Sequence, residues 1–358
     1  MNFDYNEEQQ LLADSLRRYL QAQYSFEQRR KALDGSPEVW AKFAEMGLLA
    51  LPLSPDYGGF GGGAVDLMAI MEAFGEALVV EPYLATLMAS RLVARAGSAA
   101  QKSAVLPAVA EGRLKMAFAH TESGARYDLA AVKCAATKSG DHWLIDGEKK
   151  AVQGAPVAGK LVVSAAAAGK PRLFLVDRGA VKLSPRRSLD SFLEADVVLA
   201  RAKAEALDGG LAEIEEATDF ASALICAEAV GAMKFSCDTT LEYLKTRKQF
   251  GVPIGTFQAL QHRIVDMVIA HEQAKSMSCL ACSKMDFSEN SKDRARAISA
   301  AKIKIADAAR HVSHEAVQLH GGMGMSEEMK VSHAFRRLAV LARQFGDADH
   351  HLARFASL

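Results

Sequence analysis

The chain has 358 residues; half of them are hydrophobic, 24% are charged, and 43 acidic residues balance 43 basic ones. This length allows two or three domains with a substantial core, and the balanced charge excludes a global field that would attract nucleic acid. We find neither a secretion signal nor a membrane-spanning run of about 18 apolar residues. Because the five cysteines form no disulfide framework, we expect a cytoplasmic protein.

The N-terminal part of the chain has helical patterning. Asn6, with Gln9 three residues later, predicts the N-cap of a first helix. Further helical segments follow as far as Gly112, interrupted by a glycine-rich loop at residues 52–63. We interpret this loop as a chain reversal, because it has neither a preceding strand nor the ending of a phosphate-binding loop. The pattern predicts an N-terminal helical domain over residues 1–113.

Short apolar runs separated by Gly, Asp, Lys and Pro replace the helical pattern from Lys115 to about Arg201. Several short strands at this spacing are typical of a small antiparallel barrel or sandwich, which we place at residues 114–205. The runs that predict strands are 116–120, 143–145, 161–163, 173–176 and 197–199.

Helical periodicity returns after Leu207 and continues to the end of the chain. We predict a C-terminal four-helix bundle over residues 206–358, and therefore an α+β multidomain fold. Gly321 and Gly322 should end one long helix, and Ser326 should begin the next. The apolar stripe of that long helix consists of Ala301, Ile305, Ala308, Val312, Ala316 and Leu319.

Two segments at helix junctions of this region carry the strongest functional signal. Residues 247–261 read RKQFGVPIGTFQALQ and supply a fixed cation, amides and aromatic rings. Residues 318–325 read QLHGGMGM and contain two adjacent glycines, where a ligand can approach the backbone because there are no side chains. These groups suit a pyrophosphate and an adenine better than a hydrophobic core.

These segments and the helix–barrel–bundle order resemble the flavin-dependent acyl-CoA dehydrogenase family over nearly the whole chain. Residues 72–84, 119–128 and 345–354 are similar to the pimeloyl-CoA dehydrogenase small-subunit branch. The resemblance implies FAD as cofactor and oxidation of an acyl-CoA thioester to the 2,3-enoyl-CoA. It also implies an electron-transfer flavoprotein as electron acceptor, and a dimer or dimer of dimers in which the adenosine half of each FAD reaches a neighbouring subunit.

The resemblance also implies which residues contact the cofactor. Arg247 corresponds to the family arginine that meets the FAD diphosphate, where an always-charged, bidentate guanidinium is well suited. Gln318, Gly321 and Gly322 would let the backbone approach the dinucleotide from the second segment. The other residues implied to lie at FAD are Gln249, Phe250, Gln258, Asp347, Asp349 and Thr121.

Two residues are candidates for substrate binding. Asp219 corresponds to a family aspartate on the CoA side, although Ser222 stands where an arginine usually follows. Arg126 lies near the implied thioester position and would favour an acidic acyl tail, with a surface salt bridge as the alternative. No metal site is predicted.

Several family features are missing. The strand that normally carries Trp-Ile-Thr against the flavin ring reads Ala151, Val152 and Gln153 here, and an alanine cannot stack on an isoalloxazine. The catalytic glutamate of one branch corresponds to Phe345 or Gly346. The glutamate of another branch corresponds to Ala221.

The missing base leaves three functional hypotheses. We favour the small subunit of a heteromer, in which a paralogous acyl-CoA dehydrogenase subunit carries the glutamate. One alternative is a catalytically inert scaffold that stabilises such a paralogue. The other is a self-sufficient homo-oligomer with Asp347 as a shorter base, although Asp347 is also suited to a helix cap or a nucleotide contact.

Overall fold

The computed structural model describes residues 5–358. Asn6 caps the first helix as predicted: its Oδ1 accepts from the Gln9 amide at 2.8 Å, and the Gln9 side chain accepts from the Asn6 amide at 2.9 Å. This capping box satisfies two backbone donors that a helix start leaves unpaired. The N-terminal helices are α1 (Glu7–Gln23), α2 (Phe26–Lys31), α3 (Pro37–Glu45), α4 (Ala64–Ala77), α5 (Tyr83–Ala96) and α6 (Ala99–Ala110).

The central region is a sheet whose strand order is β1-β4-β2-β3-β7-β5, and an additional β4–β5 pairing closes it on itself. β6 pairs with β7 beside this ring. The strands are β1 (Met116–Ala119), β2 (Ala135–Ser139), β3 (His142–Gln153), β4 (Lys160–Ala167), β5 (Lys170–Asp177), β6 (Lys182–Arg187) and β7 (Leu193–Gly210).

Four of the five predicted runs lie within strands, and the run 116–120 extends one residue beyond β1. The sheet is not purely antiparallel, because β4 pairs in parallel with both β1 and β2. The sequence also did not reveal β2 and β6. Both strands are mostly exposed and read AATKS and KLSPRR, so neither has an apolar run to mark it. The interior is filled by side chains from the other strands, including Ile145, Leu161, Val163, Phe174 and Val197.

The C-terminal region is helical, as predicted, with three long helices and two short ones. Every member of the predicted stripe in the third helix is buried, and that helix ends at His320 immediately before Gly321. The helices are α7 (Leu211–Thr246), α8 (Gln258–Phe287), α9 (Ser291–His320), α10 (Lys330–Leu341) and α11 (Ala348–Ser357).

Two details of this region differ from expectation. α10 begins at Lys330 and not at Ser326, because the Ser326 hydroxyl accepts from the Glu328 amide within a turn. α7 is long and apolar enough to cross a membrane by length and composition, which the search for apolar runs did not detect. However, 89% of its apolar window is buried within the protein, as in a core helix.

The described residues pack into two compact units. One unit contains the described residues up to Lys31, Gly63–Val79 and Ser222–Leu358; the other contains Ala32–Gly62 and Val80–Ala221. Thus α1, α2 and α4 pack with the C-terminal helices, while α3, α5 and α6 pack with the barrel. The three domain limits derived from the sequence stay a prediction.

Two glycines bring helices of the first unit into close contact. A Cβ on Gly75 of α4 would lie 1.9 Å from the Glu228 carbonyl oxygen, and one on Gly231 of α7 would lie 1.9 Å from that of Glu72. No side chain fits at such distances, so the two backbones are in direct contact. Beside this contact, Glu228 forms a buried ion pair with Arg337 of α10, which links α7 to the C-terminal helices.

Candidate functional site

The first of the two helix junctions, between α7 and α8, forms a small hairpin. β8 (Lys248–Gln249) pairs with β9 (Val252–Pro253), and the two residues between them have φ values of 55° at Phe250 and 83° at Gly251. Positive φ at both positions matches the type I′ turn that suits a tight hairpin. Phe250 occupies the tip with its side chain 93% exposed.

Arg247 lies at the base of this hairpin. Its carbonyl accepts from the Ile254 amide at 2.8 Å, which holds its backbone in place. Its guanidinium is exposed, and within residues 5–358 no acceptor pairs with it. A held backbone with an unpaired cationic head is an arrangement that can bind an anion from outside the chain.

The second junction, between α9 and α10, presents open backbone. An ideal Cβ built on Gly321 or Gly322 meets no atom within 4 Å, so there is free space on this side of both residues. A Cβ on Gly324, in contrast, would lie 2.5 Å from the Val317 carbonyl oxygen. Gly324 is therefore explained by packing within the chain, whereas Gly321 and Gly322 leave room for a ligand.

The structure brings the two junctions together. The ring of Tyr243, one turn before Arg247, stacks on the ring of His320 with centroids 4.5 Å apart and 27° between the ring planes. Arg263 Nε of α8 donates to Glu315 Oε2 of α9 at 2.6 Å and closes the same corner. Burial lowers the pKa of His320, so its ring is neutral near pH 7 and packs without a charge.

The remaining residues of the first segment lie on the surface. The Gln249 side-chain amide donates to the Lys248 carbonyl oxygen at 2.8 Å, and the Phe250 ring is edge-on to Phe257 with centroids 6.1 Å apart. Gln258 is exposed as the first residue of α8, and Gln318 is exposed near the end of α9. Their contacts with a nucleotide stay a prediction.

The loop between α10 and α11, where one family branch carries its glutamate, is firmly held. Lys302 is fully buried, and its Nζ donates to the carbonyl oxygens of Leu341 at 2.8 Å and Gln344 at 2.9 Å. Asp347 caps α11 by accepting from the His350 amide at 2.9 Å, which is one of the alternative roles that the sequence left open. Asp349 is exposed in the first turn of α11.

The residues predicted near the flavin ring and the substrate lie in different environments. Thr121 and Arg126 are exposed in the segment after β1. Ala151 has a φ of 51° at a bulge of β3, and its amide donates to Asp196 Oδ1 at 3.0 Å. Asp219 is only 1% exposed, so its carboxylate is not open to a ligand in this structure, and its substrate role stays a prediction.

The sequence did not reveal a buried polar network beside Thr121. Lys149 Nζ donates to Glu122 Oε1 at 2.7 Å, to Ser164 Oγ at 2.9 Å and to the His120 carbonyl oxygen at 3.0 Å. His120 Nδ1 lies 2.8 Å from Ser164 Oγ. The only signal was the presence of polar residues in and directly after the strand runs, and three separate segments contribute to the network: the stretch after β1, β3 and β4.

Comparisons with known proteins agree with this fold. Models of the acyl-CoA dehydrogenase N-terminal, middle and C-terminal domains match residues 6–113, 117–192 and 208–356. Acyl-CoA dehydrogenase FadE12 of Mycobacterium tuberculosis is 31% identical over 349 residues, covering 90% of this chain and 88% of that protein. The 3-(aryl)acrylate reductase of Clostridium sporogenes is 28% identical over 339 residues, covering 89% of each chain.

Solved structures are similar over the full length. A variant of the Tcur3481–Tcur3483 steroid ACAD has a TM-score of 0.90 at 28% identity, covering 98% of this chain and 97% of that one. The ChsE4–ChsE5 complex from Mycobacterium tuberculosis has a TM-score of 0.91 at 24% identity, covering 100% and 98%, which shows the fold alone. The chain belongs to the acyl-CoA dehydrogenase family, and the comparisons support an FAD-dependent acyl-CoA oxidoreductase.

Proposed function

We propose that this chain is a subunit of an FAD-dependent acyl-CoA dehydrogenase and that it binds the diphosphate and adenine of FAD at its two helix junctions. The observation that carries the proposal is the convergence of an unpaired Arg247 with two glycines whose Cβ space is open. Because the Tyr243–His320 stack joins the junctions, both can contact one ligand. The exposed Phe250 ring offers a flat apolar surface beside the cation.

We further infer that the chain is the small subunit of a heteromer of the pimeloyl-CoA dehydrogenase type. Its positions that correspond to the family glutamate hold Phe345 or Gly346 and Ala221, and Ala151 replaces the stacking tryptophan. The Asp347 carboxylate already caps a helix, which argues against its use as the base. A paralogous subunit would supply the base and the flavin-ring pocket.

An exposed apolar face on α8 supports the need for a partner. Val265, Val268 and Ile269 are spaced by three and four residues, so they share one helix face, and all three are among the exposed large hydrophobic residues. Such a stripe normally packs against another surface. The paired names of two solved relatives, the Tcur3481–Tcur3483 steroid ACAD and the ChsE4–ChsE5 complex, support the proposal of a two-component assembly.

The chemistry follows from the family. FAD, when bound, accepts a hydride from the β-carbon of the acyl group, and a carboxylate removes the α-proton. This chain's part is to orient the dinucleotide end through Arg247, while Arg126, exposed after β1, favours an acyl group with an acidic tail. We propose an electron-transfer flavoprotein as the electron acceptor and a cytoplasmic location.

Co-expression with a neighbouring acyl-CoA dehydrogenase paralogue, followed by measurement of flavin per subunit, tests this function. We expect the chain alone to be pale and inactive, and the co-purified pair to be yellow, active and to contain fewer flavins than subunits. A colourless but stable pair would favour the inert scaffold. A yellow, active homo-oligomer would overturn the small-subunit assignment, and Asp347→Asn would then show whether Asp347 is its base.

A further inference from the structure

A cleft of about 340 Å³ lies within the first unit, apart from both helix junctions. It is lined by residues of α1, α4 and α7, by the junction of α1 with α2, and by Lys330, the first residue of α10. Lys234, on its α7 wall, lies about 18 Å before the end of that helix at Thr246, given a rise of about 1.5 Å per residue. The volume of the cleft is at the lower end of the range for sites that bind small molecules.

Three cations and two carboxylates line the cleft, so one positive charge is in excess. Arg17 Nε donates to Glu76 Oε1 at 3.2 Å, and Lys234 Nζ donates to Asp238 Oδ2 at 2.6 Å. Both lining carboxylates are therefore paired with a lining cation. Lys330 is the cation in excess, because within residues 5–358 no carboxylate forms an ion pair with its Nζ.

The ammonium group of Lys330 is held in place by two contacts. Its Nζ donates to the Glu76 carbonyl oxygen at 2.6 Å, near the end of α4, and lies 4.2 Å from the centroid of the Phe235 ring. Burial, assisted by the Arg29 guanidinium and opposed by Glu76, lowers the pKa of Lys330 to about 8, so the group is mostly charged at pH 7. An ammonium has three N–H donors, and the Glu76 carbonyl uses one, which leaves donors for an anion.

The rest of the lining is mainly apolar and aromatic. Phe26 and Phe235 are partly buried, while Tyr24 and Leu20 are buried. The Phe26 ring lies edge-on to the ring of His333, with centroids 4.7 Å apart, which fixes its orientation. A ligand in the cleft would therefore meet apolar surface beside a single cationic group.

We propose that this cleft is a binding site for a small monocarboxylate with an apolar body, which pairs its carboxylate with Lys330 and places its body against the aromatic side chains. An ammonium forms charge-assisted hydrogen bonds to a carboxylate. One negative charge matches the one cation in excess, whereas Glu76 and Asp238 would repel the additional charge of a phosphate or a dicarboxylate. The site is independent of the proposed function, because none of the residues proposed to contact FAD lines the cleft.

Titration calorimetry of the co-purified pair with phenylacetate tests this site. We expect phenylacetate to bind at millimolar concentrations or below, and phenylacetamide, which has a similar shape but no charge, to bind more weakly. Lys330→Met should weaken phenylacetate binding roughly tenfold or more, because a charge-assisted hydrogen bond is lost, whereas Lys330→Arg should retain most of the affinity. Lys292→Met, at an exposed position of α9 in the same unit, is the control and should bind phenylacetate unchanged.

A variant that fills the cleft provides a second measurement. Ala77→Leu keeps every charge in place but adds three carbon atoms at the α4 wall, so it should weaken binding of both phenylacetate and phenylacetamide. The melting temperature of each variant shows whether it is folded. If Lys330→Met does not fold, Ala77→Leu and Lys330→Arg decide the result.

Three outcomes would overturn the inference. The first is no binding of phenylacetate to the wild-type pair at millimolar concentrations, or binding that both Lys330→Met and Ala77→Leu leave unchanged. The second is equal affinity for phenylacetamide, which would show that the charge is not recognised. The third is equally tight binding of inorganic phosphate, which would show that no apolar body is required. The proposed function would stand in each case, because the flavin content of the pair is measured separately.

Discussion

The ring of Tyr243 stacks on that of His320, with centroids 4.5 Å apart, although 77 residues separate them along the chain (320 − 243). Tyr243 lies one helical turn before Arg247, and His320 lies directly before Gly321. The stack therefore holds the cationic junction and the glycine junction at one corner of the first unit. Together with the bond from Arg263 to Glu315, this contact makes the two segments neighbours, so that both can contact one ligand.

Replacing Arg247 with Ala should weaken FAD binding by the co-purified pair roughly tenfold or more, because a charge-assisted hydrogen bond to the diphosphate is lost. Arg247→Lys should restore only part of the affinity, since an ammonium cannot bind bidentately. Titration followed at the flavin absorption band measures both effects. Arg18→Ala, at an exposed position of α1, is the control, and equal affinities for the Arg247 and Arg18 variants would remove the cradle assignment.

Substitutions at Gly322 and Gly324 should distinguish an effect on ligand binding from an effect on stability. Gly322→Val should leave the melting temperature nearly unchanged, because its Cβ space is empty, but should reduce flavin content by filling the space of the ligand. Gly324→Ala should lower the melting temperature by several degrees, because its Cβ would lie 2.5 Å from the Val317 carbonyl oxygen. If Gly322→Val instead lowered the melting temperature and left the flavin content unchanged, Gly322 would be required for packing and not for ligand binding.

Lys302 should make stability rise with pH in the alkaline range. Burial lowers its pKa from 10.5 to about 8, so between these values the unfolded chain binds more protons than the folded one. The free energy of unfolding, relative to that of Lys302→Met, should increase by up to about 3 kcal/mol across that window. Burial raises the pKa of the neighbouring Cys226 thiol to about 12, so it adds no charge there.

Denaturant titrations of wild type and Lys302→Met at pH 7.5 and pH 10 measure this difference. A constant difference between the two proteins at both pH values would show that Lys302 does not change its protonation on folding.

Removing only one partner of the buried ion pair between Arg337 and Glu228 should strongly reduce the stability of the protein. Arg337 Nε lies 2.6 Å from Glu228 Oε1, and both side chains are almost inaccessible. Arg337→Met would leave an unpaired buried carboxylate and should destabilise the protein by about 3–5 kcal/mol. Adding Glu228→Leu should recover most of this loss. Lys42→Ala, which breaks the exposed pair with Glu45, should change stability by less than about 1 kcal/mol.

Local patterns predicted the features that depend on a few neighbouring residues. The Asn6–Gln9 capping box, the buried stripe of α9 and its end at Gly321 all follow from spacings within one or two turns. The expected start of α10 at Ser326 was wrong, because a serine with acidic residues after it is equally suited to an isolated turn. The strand β6 was missed since its exposed KLSPRR sequence has no apolar alternation.

The sequence by itself determined the family resemblance, the helical and strand regions, and the two segments suited to a dinucleotide, because each is encoded by contiguous residues. Only the tertiary structure decided that these segments meet, that α4 packs backbone to backbone on α7, and that Asp219 is inaccessible. The network of His120, Glu122, Lys149 and Ser164 was likewise decided by the tertiary structure, since its members come from three separate segments. Their proximity depends on how the strands close into a barrel, and no spacing along the chain specifies that closure.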